Sequence, residues 1–115
     1  MTKLSIYCMA IKNENLETIK KFRYIPVGLK NKDFSDEWLR DNTGENISDK
    51  NPYYGEYTFY YWYWKNLLKF KRKDEWVGFC SYREYWGIKK ESISQDVNEL
   101  ILKEYDPKWN SYDAV

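Results

Sequence analysis

No histidine occurs among these 115 residues, so no imidazole takes part in whatever chemistry the chain performs. Nowhere do apolar residues continue for the roughly 18 positions that a membrane-crossing helix requires. The amino terminus, MTKLSIYCMAIKN, lacks the long apolar region and small-residue cleavage site of a signal peptide. Neither sign of charge dominates: 19 basic and 18 acidic residues give a net charge of +1. That balance argues against a nucleic-acid binder, whose affinity rests on a basic stripe or face. Only two cysteines are present, Cys8 and Cys80, each inside an apolar, strand-like run. They read as buried free thiols in a reducing compartment rather than as a disulfide. The expectation is a cytoplasmic protein, with residues 1–115 forming one domain around one core. There is no internal repeat and no low-complexity tract.

What the chain does have is concentrated in residues 41–66, DNTGENISDKNPYYGEYTFYYWYWKN. A polar loop with one glycine leads through Asn51-Pro52 into a segment with nine aromatic residues between Tyr53 and Trp64. Loop Asn, Asp, Ser and Thr side chains offer donors and acceptors to a ligand held by a rigid scaffold. Aromatic rings with polar tips suit the floor of a sugar or base site.

Along the chain, residues 3–10 (KLSIYCMA) read as the first buried strand of a parallel sheet. Residues 13–21 form a short helix or an irregular connection, and 22–27 (FRYIPV) a second strand with Pro26 at its end or at an edge. Residues 28–50 make a long polar loop with a turn of helix near 35–40, and a loop of that length is disordered or functional. Asn51 suits an N-cap and Pro52 the first helical position. The helix is expected to reach Lys69, with Tyr57, Tyr60, Tyr61, Trp64, Leu67 and Leu68 as its buried stripe. Tyr54, Trp62 and Tyr63 fall on the other side and are left for a site, a partner or a membrane interface. The cluster KFKRK (69–73) reads as a solvated loop or a contact with a membrane surface. Residues 75–82 (EWVGFCSY) read as a buried central strand, and Ser92 with Gln95 as the capping box of a last helix ending near Asp106-Pro107. That helix puts Val97, Leu100 and Ile101 on one face. SYDAV (111–115) resembles the start of another strand. The alternation predicts an α/β fold, three layers around a mainly parallel sheet.

In such sheets ligands bind beyond the carboxyl ends of the strands. Asp41, Asn42 and Asn46 could grip a ribose or base there, with Gly44 allowing close approach; an Asx-rich turn explains the same residues equally well. Lys50 and Asn51 lie at a helix start, where free N–H groups favour an anion such as a diphosphate. Glu56 sits in an aromatic run, where a carboxylate needs a partner; it could accept sugar hydroxyls, act as a base, or pair with Arg83 or Lys50 for structural reasons.

DNTGENIS, then KNPYYGEYTFYYWYWKN, then WVGFCSYREYW, in this order and spacing, resemble the bacterial domain-of-unknown-function 4422 family. The similarity runs from about Ile6 through YIPVGL (24–29) to SYDAV, nearly the whole chain. The chain departs from the family pattern in two places: Ile11-Lys12 stands where many members have His-Lys, and Ser81-Tyr82-Arg83-Glu84 where many read His-Tyr-Arg-Arg. The family is grouped with GT-A-type glycosyltransferases of capsule and lipopolysaccharide synthesis. The resemblance therefore implies a Rossmann-like, nucleotide-sugar-binding half of a GT-A fold. Because members continue further, it also implies an N-terminal portion of something larger. It implies a nucleotide-sugar donor, a UDP-sugar above all, and a glycan acceptor. Asp41, Asn42, Gly44, Asn46, Lys50, Asn51 and Tyr82 would hold the donor, and Glu56 and Arg83 would serve the chemistry. Ile47-Ser48-Asp49-Lys50 is similar to the Ser-Lys helix opening of such enzymes. GT-A enzymes place a metal-binding Asp-x-Asp motif after the central strand and use Mn or Mg. This chain has none and carries Tyr82-Arg83 there instead, so either a divalent cation is held otherwise or the guanidinium replaces it as charge sink. Two other functions fit the same residues: a non-catalytic nucleotide- or carbohydrate-binding module, and an interaction domain docking through exposed aromatics.

Overall fold

The structure is a computed structural model that describes residues 2–30, 33–88 and 96–115. Four strands, β1 (Lys3–Ala10), β2 (Ile25–Gly28), β3 (Leu39–Arg40) and β4 (Glu75–Ser81), form one sheet in the order β3-β2-β1-β4. Every pairing is parallel. Alternation along β1 feeds both faces of the sheet. Ile6, Cys8 and Ala10 pack with Ile19 and Phe22, on and just after helix α1 (Leu16–Lys21). Tyr7 and Met9 pack on the opposite face against Phe59, Trp62 and Tyr63 of helix α3 (Tyr57–Asn66). Helix, sheet, helix is the three-layer α/β, Rossmann-like arrangement that the alternation of elements predicts. No helix among the described residues is long and apolar enough to cross a membrane.

Pro26 pairs with Cys8 on one side of β2, while β3 joins the other side only from Val27 onward. Its missing N–H therefore falls where β2 is still an edge. The turn expected near 35–40 is present as a Trp38 N–H to Ser35 O bond of 3.1 Å, but the chain then forms β3 rather than staying a loop.

Several expectations are corrected. The aromatic helix is not continuous: α2 (Asn51–Tyr54) stops at Gly55, whose φ is +55°, and α3 restarts at Tyr57. The break rotates the buried stripe. Thr58, Phe59, Trp62 and Tyr63 face inward, whereas Tyr57 and Trp64 are 70% and 56% exposed. Trp62 and Tyr63 are thus core residues and not a free platform. Asn51 is the first residue of α2 and points inward rather than capping it.

β4 lies at the sheet edge rather than the centre, and all seven of its residues, Cys80 among them, are half-buried. An apolar run signals cover above and below a strand, which says nothing about its lateral neighbours. The Trp86 indole closes part of the open side by donating to Phe79 O at 2.9 Å. The last α-helix among the described residues is α4 (Val97–Leu100), capped by Asp96, whose Oδ1 accepts from Asn98 N–H at 3.0 Å. It ends before Ile101, which bridges to Gly87, and does not reach Asp106. Ser92 and Gln95 lie outside the described residues. The carboxyl-terminal segment forms a 3-10 turn (Pro107–Ser111) in place of a strand.

Candidate functional site

Because every strand runs the same way, the residues after β1, β2, β3 and β4 emerge along one rim. Asp41 follows β3 at one end of that rim, and Tyr82-Arg83 follow β4 at the other. Three inter-strand spacings separate the two ends, roughly 14 Å, a span suited to an extended ligand rather than to direct contact. Lys12 follows β1 near the middle, 3.7 Å from Glu14.

The polar loop after β3 is bound tightly to α3. Thr58 Oγ1 donates to Asp41 Oδ2 at 2.7 Å, and the Trp62 indole donates to Thr43 O at 2.7 Å. One turn on, Tyr61 OH donates to Glu45 Oε2 at 2.8 Å and Asn66 Nδ2 to Glu45 O at 2.9 Å. Positions 58, 61, 62 and 66 recur at helical spacing, so one face of α3 carries the whole loop. Gly44, with φ +55°, lies so close to the Asn66 side chain that a Cβ would collide with it. Asn46 Oδ1 accepts from Ser48 N–H at 3.2 Å and from Ser48 Oγ at 3.1 Å, an Asx turn. Asn51 Nδ2 donates to Gly55 O at 2.9 Å and to Thr58 Oγ1 at 3.2 Å.

Asp41 and Asn51 are buried, and among the described residues Asp41 Oδ1 and Asn51 Oδ1 find no hydrogen-bond partner. Burial raises the Asp41 pKa above the ordinary carboxylate value, against the Thr58 hydrogen bond and the Arg40 charge, which lower it. Asp41, Gly44, Asn46 and Asn51 therefore shape the rim from beneath. Thr58, the hub that joins two of them, is not among the residues the sequence singles out. A threonine seven residues after Asn51 and seventeen after Asp41 in sequence has no signal until the elbow at Gly55 folds it inward.

Asn42, Lys50, Glu56 and Arg83 are exposed. Glu56 stands at the elbow between α2 and α3, and no described residue pairs with its carboxylate. Its charge reaches the central strands. The Cys8 thiol is held protonated by the neighbouring Cys80 side chain first, by burial second, and then by the charge of Glu56. Tyr60 is raised by burial first and by Glu56 second. Arg83 packs its guanidinium 5.4 Å from the centre of the Tyr82 ring, and Tyr82 N–H donates to Met9 O at 2.9 Å. That bond ties the Arg83 segment to β1. A separate open groove of about 1190 Å³ follows β4, lined by Trp76, Phe79, Trp86 and Trp109 among others.

The family described as Domain of unknown function (DUF4422) matches residues 5–115. The chain belongs to that family. No curated protein and no solved structure matches it. In this DUF4422 chain the three motifs occupy distinct places on one scaffold. DNTGENIS is the loop laid along α3, KNPYYGEYTFYYWYWKN is the broken helix, and WVGFCSYREYW is edge strand β4 with the turn after it.

Proposed function

We propose that this protein binds a nucleotide sugar across the carboxyl rim of its sheet and transfers the sugar to a bacterial surface glycan. One observation supports the reading: Asp41-Asn42 follow β3 and Arg83 follows β4 along one rim of an all-parallel sheet, and the buried Asp41–Thr58–Asn51 hydrogen bonds tie the loop that carries Asn42 and Lys50 to α3 beside Glu56. Asn42 would hydrogen-bond the nucleoside, and the cations Lys50 and Arg83 would oppose the diphosphate. Glu56, exposed at the elbow between α2 and α3 and without a partner among the described residues, would accept the acceptor hydroxyl's proton. In the transfer, the acceptor oxygen forms a bond to the anomeric carbon as the carbon–oxygen bond to the diphosphate breaks. The nucleoside diphosphate leaves with the electron pair.

We read the residues after β4 as supplying a fixed positive charge in place of a divalent cation. Tyr82-Arg83-Glu84 offers one carboxylate beside a fixed positive charge, and no group of three His, Cys, Asp or Glu among the described residues could hold a metal ion. We assign the charge-neutralising role to Arg83, through its forked donors. The reading carries a cytoplasmic location, where such donors are made and thiols such as Cys8 and Cys80 stay reduced.

A thermal-shift screen with uridine diphosphate, UDP-sugars and other nucleotide sugars tests it. Stabilisation by at least one, followed by turnover of the labelled donor with a glycan acceptor, is the expected result. Stabilisation without turnover marks a binding module, and no response to any nucleotide or glycan overturns the proposal.

A further inference from the structure

A strongly basic stretch runs from the end of α3 to the amino end of β4. Residues 64–74 (WKNLLKFKRKD) contain five basic side chains and one acidic one, a local charge of +4, which leaves the other 104 residues at −3 against the chain total of +1. Within this basic segment three large apolar side chains face water: Trp64 at 56%, Leu68 at 44% and Phe70 at 71% exposure. Trp64 and Leu68 are one helical turn apart, and Phe70 closes the 3-10 turn (Leu68–Phe70) that follows. Lysines flank the rings: Lys65 Nζ lies 3.7 Å from the Trp64 ring centre and Lys69 Nζ 5.3 Å from that of Phe70. Nearby acids neutralise part of the charge. Glu45 lies 3.6 Å from Lys65 and Asp74 2.9 Å from Arg72, while no carboxylate among the described residues pairs with Lys69, Lys71 or Lys73.

Exposed aromatic and aliphatic side chains set among lysines fit one kind of surface. Apolar tips enter the acyl boundary of a bilayer while ammonium groups remain among anionic headgroups. We infer that Trp64, Leu68 and Phe70, with Lys69, Lys71 and Lys73, form an interfacial anchor that docks the protein on an anionic membrane surface. A solvated loop accounts for the lysines but not for Phe70 and Trp64, which expose apolar rings at a cost in water. A nucleic acid accounts for the charge but gives no role to Leu68. Nothing in the anchor depends on the nucleotide reading.

The fold also gives the docked protein an orientation. The basic segment leads into Glu75, which pairs with Lys3 at the amino end of β1, so the anchor sits at the amino edge of the sheet. Arg83 lies beyond the other end of the seven-residue β4, roughly 23 Å away at about 3.3 Å per residue. Docking thus leaves the rim facing water, accessible to soluble ligands.

Co-sedimentation of the full chain with phosphatidylglycerol–phosphatidylcholine vesicles and with pure phosphatidylcholine vesicles tests the anchor. The protein should pellet with the anionic vesicles only, and molar salt should release it. Each of Lys69→Gln, Lys71→Gln and Lys73→Gln should lower the partition coefficient about fivefold, equivalent to about 1 kcal/mol per basic residue near such a surface. The double variant Trp64→Ser/Phe70→Ser keeps every lysine and should lose at least about tenfold. Its melting temperature should stay close to that of the parent, because both rings are exposed. Undiminished vesicle binding by the double variant would reduce the patch to adhesion by charge alone and overturn the proposal. So would absence of vesicle binding, or tighter binding to duplex nucleic acid than to the anionic vesicles.

Discussion

Thr58 donates its hydroxyl hydrogen to Asp41 across 17 residues of chain, at 2.7 Å, with both side chains fully buried. This bond fastens the end of β3 to the first turn of α3. The same hydroxyl accepts from Asn51, so one oxygen joins three of the segments that make the rim. Replacing Thr58 by Val keeps the shape and removes the donor. Asp41 then loses a partner it cannot exchange for water, and the expected cost is about 1–3 kcal/mol in urea unfolding. An unchanged midpoint and slope would show that the hydroxyl contributes nothing.

Asp41 also predicts a pH dependence. Its folded pKa lies above the unfolded value because burial disfavours the charged form. Between those two values the folded state holds more protons than the unfolded one, so this group makes stability fall as pH rises through the window. The penalty is complete above the folded pKa and vanishes below the unfolded one, near 3.9. Asp41→Asn removes the titration, so the variant's stability relative to the parent should rise with pH across the window. A constant difference between the two from pH 4 to pH 8 would refute it.

Gly55 sets which aromatic residues are core. Its φ of +55° and ψ of −127° belong to a region that side-chain-bearing residues avoid, although a Cβ there would touch nothing within 4 Å. Gly55→Ala should therefore cost about 1–3 kcal/mol through backbone strain alone. Phe59→Ala, at a fully buried position on the adjoining helix, should cost about 3–5 kcal/mol. Comparable thermal melts for Gly55→Ala and the parent would indicate that the elbow relaxes at no cost.

The two thiols should differ in reactivity. Cys8 and Cys80 are partners in the β1–β4 register, but Cys8 is fully buried and held protonated, whereas Cys80 lies half-buried on an edge strand. A thiol reagent on the native protein should label Cys80 well before Cys8. Equal rates would place both strands in the same environment and contradict β4 at the edge.

If Arg83 neutralises the leaving diphosphate, Arg83→Ala should slow transfer about 10²–10³-fold with little change in donor KM. A proportionate rise in KM with unchanged kcat would instead assign Arg83 to ground-state binding. Glu56→Gln should slow transfer while leaving thermal stabilisation by the nucleotide intact.

β1 and β4 were legible because their apolar runs exceed what a loop tolerates, and the parallel sheet followed from the intervening helices. Pro52 in the first helical turn, second rather than first in α2, and the left-handed Gly44 were local matters, set by a ring without an N–H and by a residue without a Cβ. The buried stripe of the aromatic helix was not legible. With nine aromatic residues in twelve positions, every face looks apolar, and only the reversal of backbone at Gly55 selects Phe59, Trp62 and Tyr63 over Tyr57 and Trp64. Nor could the sequence separate Asp41, Asn46 and Asn51, which face the protein, from Asn42, Lys50 and Glu56, which face water. All six are polar residues in one loop and helix start, with the same affinity for a ligand as for their neighbours. Residue chemistry alone determined which segments could bind and which could pack. Tertiary structure decided which did each, because a hydrogen-bonding group is satisfied by whichever partner the fold brings within 3 Å or so.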